Sequence, residues 1–233
     1  MAEFSLVDHL LSKYSKQWQA ATEHPFLNGV ADGTITDRQF NAWLQQDYLY
    51  AIDFAKMLGN LLRVAPLGHL DVLFTSCTFM KDELTWFDRK LEERSMKTPS
   101  KGWGRKLGSF DKEEVTKQVI CAEYGRFMTD RVPTLPYYLQ ILSIWAIEAS
   151  YNTAWSKILS RVEPKYQEFP ERWGNKDFKK FVTELERTLE SEYRVSLSTA
   201  SGGSESLLQA AEEIFLTIAE FEERFWSMAF ADK

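Results

Sequence analysis

Apolar residues return every three to four positions over long stretches of the chain, and alternating strand-like runs are almost absent. This periodicity predicts a helix after Ser5, with Leu6, Leu10, Leu11 and Tyr14 through Trp18 on one face. A short second helix begins at His24-Pro25-Phe26-Leu27 and ends near Asp32-Gly33. Thr36 and Gln39 form a capping-box pattern that opens a long helix from about 37 to 63. Its apolar row reads Phe40, Trp43, Leu44, Asp47, Ala51, Phe54 and Leu58. Pro66-Leu67-Gly68 breaks the chain before a helix from about 69 to 94. The basic, glycine-rich stretch from Lys97 to Phe110 is the longest expected loop, either a cover over a cavity mouth or a mobile connection. Asp111-Lys112-Glu113-Glu114 is expected to cap the next helix, which ends before Pro133, and another runs from about 135 to 161. Arg172-Trp173-Gly174-Asn175 reads as a tight turn with Asn175 capping a helix to about 197. Ser198 to Ser204 then leads into the last helix. With no internal repeat and no linker, the expectation is an all-α helical bundle, one domain over residues 1–233.

Three carboxylates interrupt this pattern where a helix should bury apolar groups. Asp47 has Trp43, Leu44, Tyr50 and Ala51 at the −4, −3, +3 and +4 positions. Glu83 has Phe79, Met80, Trp86 and Phe87 there, and Glu222 has Ile218, Ala219, Phe225 and Trp226. Residues three and four apart share a helix face, so each acid points toward the core. Glu148 is nearly as enclosed, with Ile144, Trp145, Tyr151 and Asn152. Burying an ionised carboxylate costs several kcal/mol unless it is paired or hydrogen-bonded. Four such acids together read as a polar cavity. An aromatic at helical spacing is usually core, and a lone acid on an apolar face is often paired with an arginine, for which Arg126 and Arg131 are available. The reading therefore rests on the coincidence of four acids.

Composition narrows the classes. A formal net charge of −6 argues against a nucleic-acid partner, which usually needs a basic face. No apolar stretch is long enough to span a membrane. The first residues lack a secretory pattern, and the first arginine is Arg38, which disfavours an Arg-rich transit peptide. Cys77 and Cys121 lack CxxC spacing and read as free thiols in a reducing compartment, so the cytoplasm is the expected location.

Two chemistries remain for the acids. A carboxylate-bridged di-metal site requires Glu-x-x-His pairs, and His9, His24 and His69 complete none, so neither metal nor cofactor is called for. A small, flat, polar ligand fits better. Trp43, Tyr48, Tyr50, Trp86, Tyr124, Trp145, Tyr151, Trp173 and Trp226 offer stacking faces, and carboxylates accept from amino and ring N–H groups. An aminated heteroaromatic satisfies both. Acids in a dry pocket can also have their pKa values pushed apart, giving one acid and one base.

Several motifs carry a family resemblance. Glu23-His24-Pro25-Phe26, Asp32-Gly33-Thr34-Ile35, Phe40 and Gln46-Asp47-Tyr48-Leu49-Tyr50 resemble the N-terminal signature of the TenA/thiaminase II family, and Glu222-Glu223-Arg224-Phe225-Trp226-Ser227-Met228-Ala229 resembles its C-terminal motif. Glu123-Tyr124-Gly125-Arg126-Phe127, Trp145-Ala146-Ile147-Glu148-Ala149 with Tyr151, and Arg172-Trp173-Gly174-Asn175 resemble the branch called TenA_E. The resemblance runs from about residue 5 to 230, with the motifs in order and at fitting spacing. It implies a haem-oxygenase-like all-α fold, homo-oligomers with a dimer favoured, and salvage of the thiamine pyrimidine. The implied reaction is hydrolysis of C–N bonds on 4-amino-5-aminomethyl-2-methylpyrimidine, giving ammonia and the hydroxymethyl pyrimidine, and removal of a formyl group from the N-formyl precursor. The main branch has a nucleophilic cysteine where this chain reads Ala146-Ile147-Glu148, which puts cleavage of thiamine itself in doubt.

The implied roles follow. Asp47 accepts from the exocyclic amine and a ring nitrogen. Glu222, in an apolar setting that raises its pKa, protonates the departing amine. Glu148 activates water or adds to the ring as a nucleophile. Tyr50, Tyr124 and Tyr151 orient these acids, Trp43 and Trp173 are stacking faces, and Glu83 lies behind them. The alternative is a non-catalytic aminopyrimidine-binding or regulatory protein.

Overall fold

The computed structural model describes residues 4–96, 116–199 and 203–231, and every regular element among them is helical. Ser5 caps α1 (Leu6–Lys13) by accepting from the Asp8 amide, and its own hydroxyl donates to Glu190 at 2.8 Å. The expected single first helix is two. Tyr14 leaves helical geometry (φ −109°, ψ 31°) and α2 (Ser15–Thr22) restarts after it, while the Tyr14 hydroxyl donates to Glu212 at 2.9 Å. The apolar period continues across this break, so spacing alone does not show it.

At α3 (Pro25–Ala31) the His24 Nδ1 accepts from the Phe26 amide, which leaves the ring proton on Nε2 to donate to Ser227 Oγ at 3.0 Å. Thr36 and Gln39 close the expected capping box of α4 (Asp37–Val64), a device worth about 1 kcal/mol. The chain returns antiparallel through α5 (Leu70–Glu93).

Residues 97–115, with the expected glycine-rich loop and the Asp111–Glu114 cap, lie outside the described residues. Residues 116–118 are not helical, and α6 begins only at Val119 (Val119–Arg126) before passing into a π turn, Phe127–Arg131. Gln46 of α4 holds this re-entry: its amide donates to Thr116 O at 3.1 Å and its carbonyl accepts from Gln118 N at 2.8 Å. Nearby, buried Asp53 pairs with Lys117 and Lys56. Gly125 is required here, because a Cβ would collide with the Asp53 carboxylate.

α7 (Tyr137–Ile158) is apolar around nearly its whole circumference, as a helix enclosed on all sides must be. It packs against α9 (Lys176–Thr199) and α10 (Ser204–Ala231), and α4 lies against α10. The expected tight turn at 172–175 is partly helix: Arg172 and Trp173 end a short α8 (Glu168–Trp173). Asn175 does cap α9, its Oδ1 accepting from the Asp177 and Phe178 amides at 2.8 Å each. Gly174 allows α8 to lie on α7, since a Cβ there would sit 2.7 Å from Ser156 N.

Candidate active site

Helices α4, α5, α7 and the end of α8 line a small cavity. Its walls are Asp47, Tyr50, Phe54, Met80, Glu83, Ile147, Glu148, Tyr151 and Trp173. Three of the four acids named from the sequence thus share one space, brought from positions as far apart as 47 and 148. Asp47 is 2% exposed and accepts from the Tyr151 hydroxyl through Oδ1 at 2.5 Å. Its Oδ2 is buried without a partner, as is the Tyr50 hydroxyl. Glu148 faces the cavity half-buried, with no hydrogen-bond partner among the described residues. Glu83 accepts from Trp173 Nε1 at 3.2 Å.

Glu222 and Tyr124 do not line this cavity. Glu222, also 2% exposed, lies behind it and accepts from the Tyr124 hydroxyl at 2.7 Å. The Tyr124 ring packs 5.0 Å from that of Tyr50, which does face the cavity. Of the three tyrosines, Tyr124 and Tyr151 each hold an acid, whereas Tyr50 offers a free hydroxyl. Trp43 is also set back from the cavity. Fully buried, it meets Trp173 edge-on with centroids 6.1 Å apart and packs against Trp155 and Phe26. It therefore supports Trp173, whose backbone carbonyl is held by Asn152 at 2.7 Å.

The electrostatics follow from burial, and among the described residues Arg172 is the one cation that acts on these acids. Burial pushes the Glu222 carboxyl up to about 8, against the pull of the Tyr124 hydrogen bond. Asp47 is driven well above the carboxylate range by burial, with the Tyr151 hydrogen bond opposing and Glu83 and Glu222 adding to the rise. Glu148 is raised by burial and then by Glu83 and Glu222. Glu83 is raised by burial too, but the Arg172 charge and the Trp173 N–H oppose it. Burial also keeps the Tyr50, Tyr124 and Tyr151 hydroxyls protonated, as donors.

Arg126 and Arg131, considered as partners from the sequence, are exposed, and Arg172 is the arginine whose charge reaches an acid of the cavity. The Arg172-Trp173-Gly174-Asn175 motif held that signal, since its arginine sits beside the wall tryptophan. Phe54, Met80 and Ile147 were visible only as apolar neighbours of the acids and turn out to be wall residues. The histidines are engaged elsewhere: His9 with Glu212, His24 with Ser227, His69 stacked on Tyr137. Cys121 lies outside the cavity wall, donates to Gln46 O at 3.4 Å and is pushed up to about 12 by burial.

The TENA/THI-4/PQQC family model matches residues 11–68 and 101–232. A probable bifunctional TENA-E protein of Glycine max is 26% identical over 97% of this chain and 94% of its own length. An aminopyrimidine aminohydrolase of Halalkalibacterium halodurans is 26% identical over 98% of this chain and 97% of its own. Among solved structures, a TenA homologue from Pyrococcus furiosus superposes with a TM-score of 0.82 at 21% identity, covering 97% of this chain and all of that one. At that identity the likeness shows the all-α fold.

Proposed function

The chain belongs to the TENA/THI-4/PQQC family, and from that premise we propose that it hydrolyses C–N bonds on thiamine-breakdown pyrimidines. The substrates are 4-amino-5-aminomethyl-2-methylpyrimidine, giving the hydroxymethyl pyrimidine and ammonia, and its N-formyl precursor. The aminopyrimidine aminohydrolase among its relatives supports this reading. The observation that carries it is the convergence of Asp47, Glu83 and Glu148 on one aromatic-walled cavity, with Glu222 buried behind it and held by Tyr124.

Asp47, fixed by Tyr151, receives the ring's exocyclic amine and a ring nitrogen through its unpartnered Oδ2. Glu148, pushed up by burial and by Glu83 and Glu222, acts in its ionised form on a substrate bound as the neutral amine. It then takes a proton from water while the water oxygen bonds to the methylene carbon. The C–N bond breaks, and the departing amine takes the proton that Glu222 holds, passed on through the hydroxyls of Tyr124 and Tyr50. No thiolate takes part.

The test is turnover of both pyrimidines by pure protein, followed by chromatography, with Glu222→Gln alongside. Product from the wild type and not from the variant supports a cysteine-free hydrolase. Equal turnover by both overturns the role of Glu222. Tight binding without product from the wild type favours the binding-protein alternative. The expected solution state is a homo-oligomer with a dimer favoured, read by light scattering, and the expected location is the cytoplasm. Among the described residues no helix is long and apolar enough to cross a membrane.

A further inference from the structure

A second cavity, of about 290 Å³, lies against the first and shares Glu83 and Trp173 with it as a common wall. Trp173 is fixed: Asn152 holds its backbone, and Trp43, Trp86 and Tyr151 meet its ring edge-on. Glu83 is half-buried and tied across the wall by one long hydrogen bond of 3.2 Å, so it is the part that can yield.

Apart from the shared Glu83 and Trp173, the outer cavity is lined by groups the proposed reaction does not use. Arg172 lies over the Trp86 ring at 4.9 Å, yet makes no hydrogen bond or ion pair among the described residues, and its Nε is buried without a partner. A guanidinium has five N–H donors and no acceptor, and the buried Nε–H of this one is open to an oxygen. Asn175 cannot compete, because its side chain is spent on the Glu171 and Arg172 carbonyls and the α9 amides. Asp177 is paired with Lys180 at 2.7 Å. Asp82 is exposed on the same wall and unpaired among the described residues. Phe79 and Phe178 supply apolar surface, their rings 6.0 Å apart.

One cation among three carboxyls (Asp82, Glu83, Asp177) repels a phosphate or other dianion. It suits a neutral carbonyl that carries a positive charge nearby. We propose that the outer cavity is a subsite for an acyl group on the substrate's aminomethyl nitrogen, and that it favours an aminoacyl group. The carbonyl oxygen accepts from Arg172, the ammonium meets Asp82, and the carbon frame lies against Phe79 and Phe178. The chamber is far larger than a formyl group requires. This subsite rests on the reading of the inner cavity as the aminopyrimidine site.

The test is calorimetric titration in a Glu222→Gln background, which suppresses turnover, with 4-amino-5-aminomethyl-2-methylpyrimidine and its N-acetyl and N-glycyl amides. Each affinity is read as a ratio to the parent amine in the same protein, which controls for folding. The glycyl amide should bind roughly tenfold tighter than the acetyl amide, and Asp82→Asn should erase that preference. Arg172→Gln should weaken both amides about tenfold against the parent. Parent binding with both amides excluded, or a glycyl preference untouched by Asp82→Asn, overturns the subsite alone. A protein that binds neither parent nor amides overturns the aminopyrimidine reading and the subsite with it.

Discussion

Glu212 and Glu222 stand ten residues apart on α10 and carry the same carboxyl in opposite states. Burial pushes Glu212 up as well, but hydrogen bonds from Lys13 at 2.6 Å, His9 at 2.7 Å and Tyr14 at 2.9 Å outweigh it and bring the group down to about 2. Glu222 has the Tyr124 hydroxyl beside it and no cation among the described residues, and it rises to about 8. The difference lies in the company each keeps. At the rim of the bundle, α1 supplies charge to lock two elements together. In the interior, the chain withholds charge, and the acid keeps a proton through neutral pH, as proton donation requires.

The largest break in this contrast comes from removing the interior proton. Glu222→Gln should lower kcat by about 10²–10⁴ while leaving binding of the pyrimidine largely intact, as steady-state kinetics and titration would show. Tyr50→Phe removes the free hydroxyl on the cavity wall and should cost about 10- to 100-fold in kcat if it passes that proton on. Unchanged turnover would mean Glu222 reaches the substrate another way.

The two glutamates should also shape stability in opposite directions. Glu222 binds its proton more tightly folded than unfolded, so its contribution is full below about pH 4.5 and is lost as pH rises through about 8. Glu212 is the reverse: its contribution is present above about pH 4.5 and lost as pH falls toward about 2. Denaturant titrations across pH should show Glu222→Gln flattening the alkaline limb and Glu212→Gln the acid limb. The Glu212 effect should be the smaller, because its partner Lys13 is about half exposed and screened. Smallest of all is Cys121→Ser, which should keep kcat within about twofold, since a thiol near 12 has no thiolate at neutral pH.

Local rules were legible where they acted alone. The Thr36–Gln39 box and the apolar row behind it put α4 within a residue of its observed ends. Asn175 was recognisable as a cap for the same reason. The break at Tyr14 was not, because the hydroxyl that fixes that residue reaches across to Glu212. The inward faces of Asp47 and Glu222 followed from helical spacing, but their partners did not. Tyr151 reaches Asp47 from 104 residues away, and Tyr124 reaches Glu222 from 98. Spacing also could not rank Trp43 against Trp173, since both lie on apolar faces and tertiary packing alone decides which one meets the cavity. Arg172 was hidden for a similar reason: its meaning depends on Glu83, on another helix.

Carbon-13 NMR titration of the glutamate carboxyls, assigned through Glu222→Gln and Glu212→Gln, tests the contrast most directly. Among the outlying midpoints, one near 8 should vanish with Glu222 and one near 2 with Glu212. A Glu222 carboxyl that titrates near the ordinary value of about 4.3 would be ionised at neutral pH and would contradict its role as the proton donor.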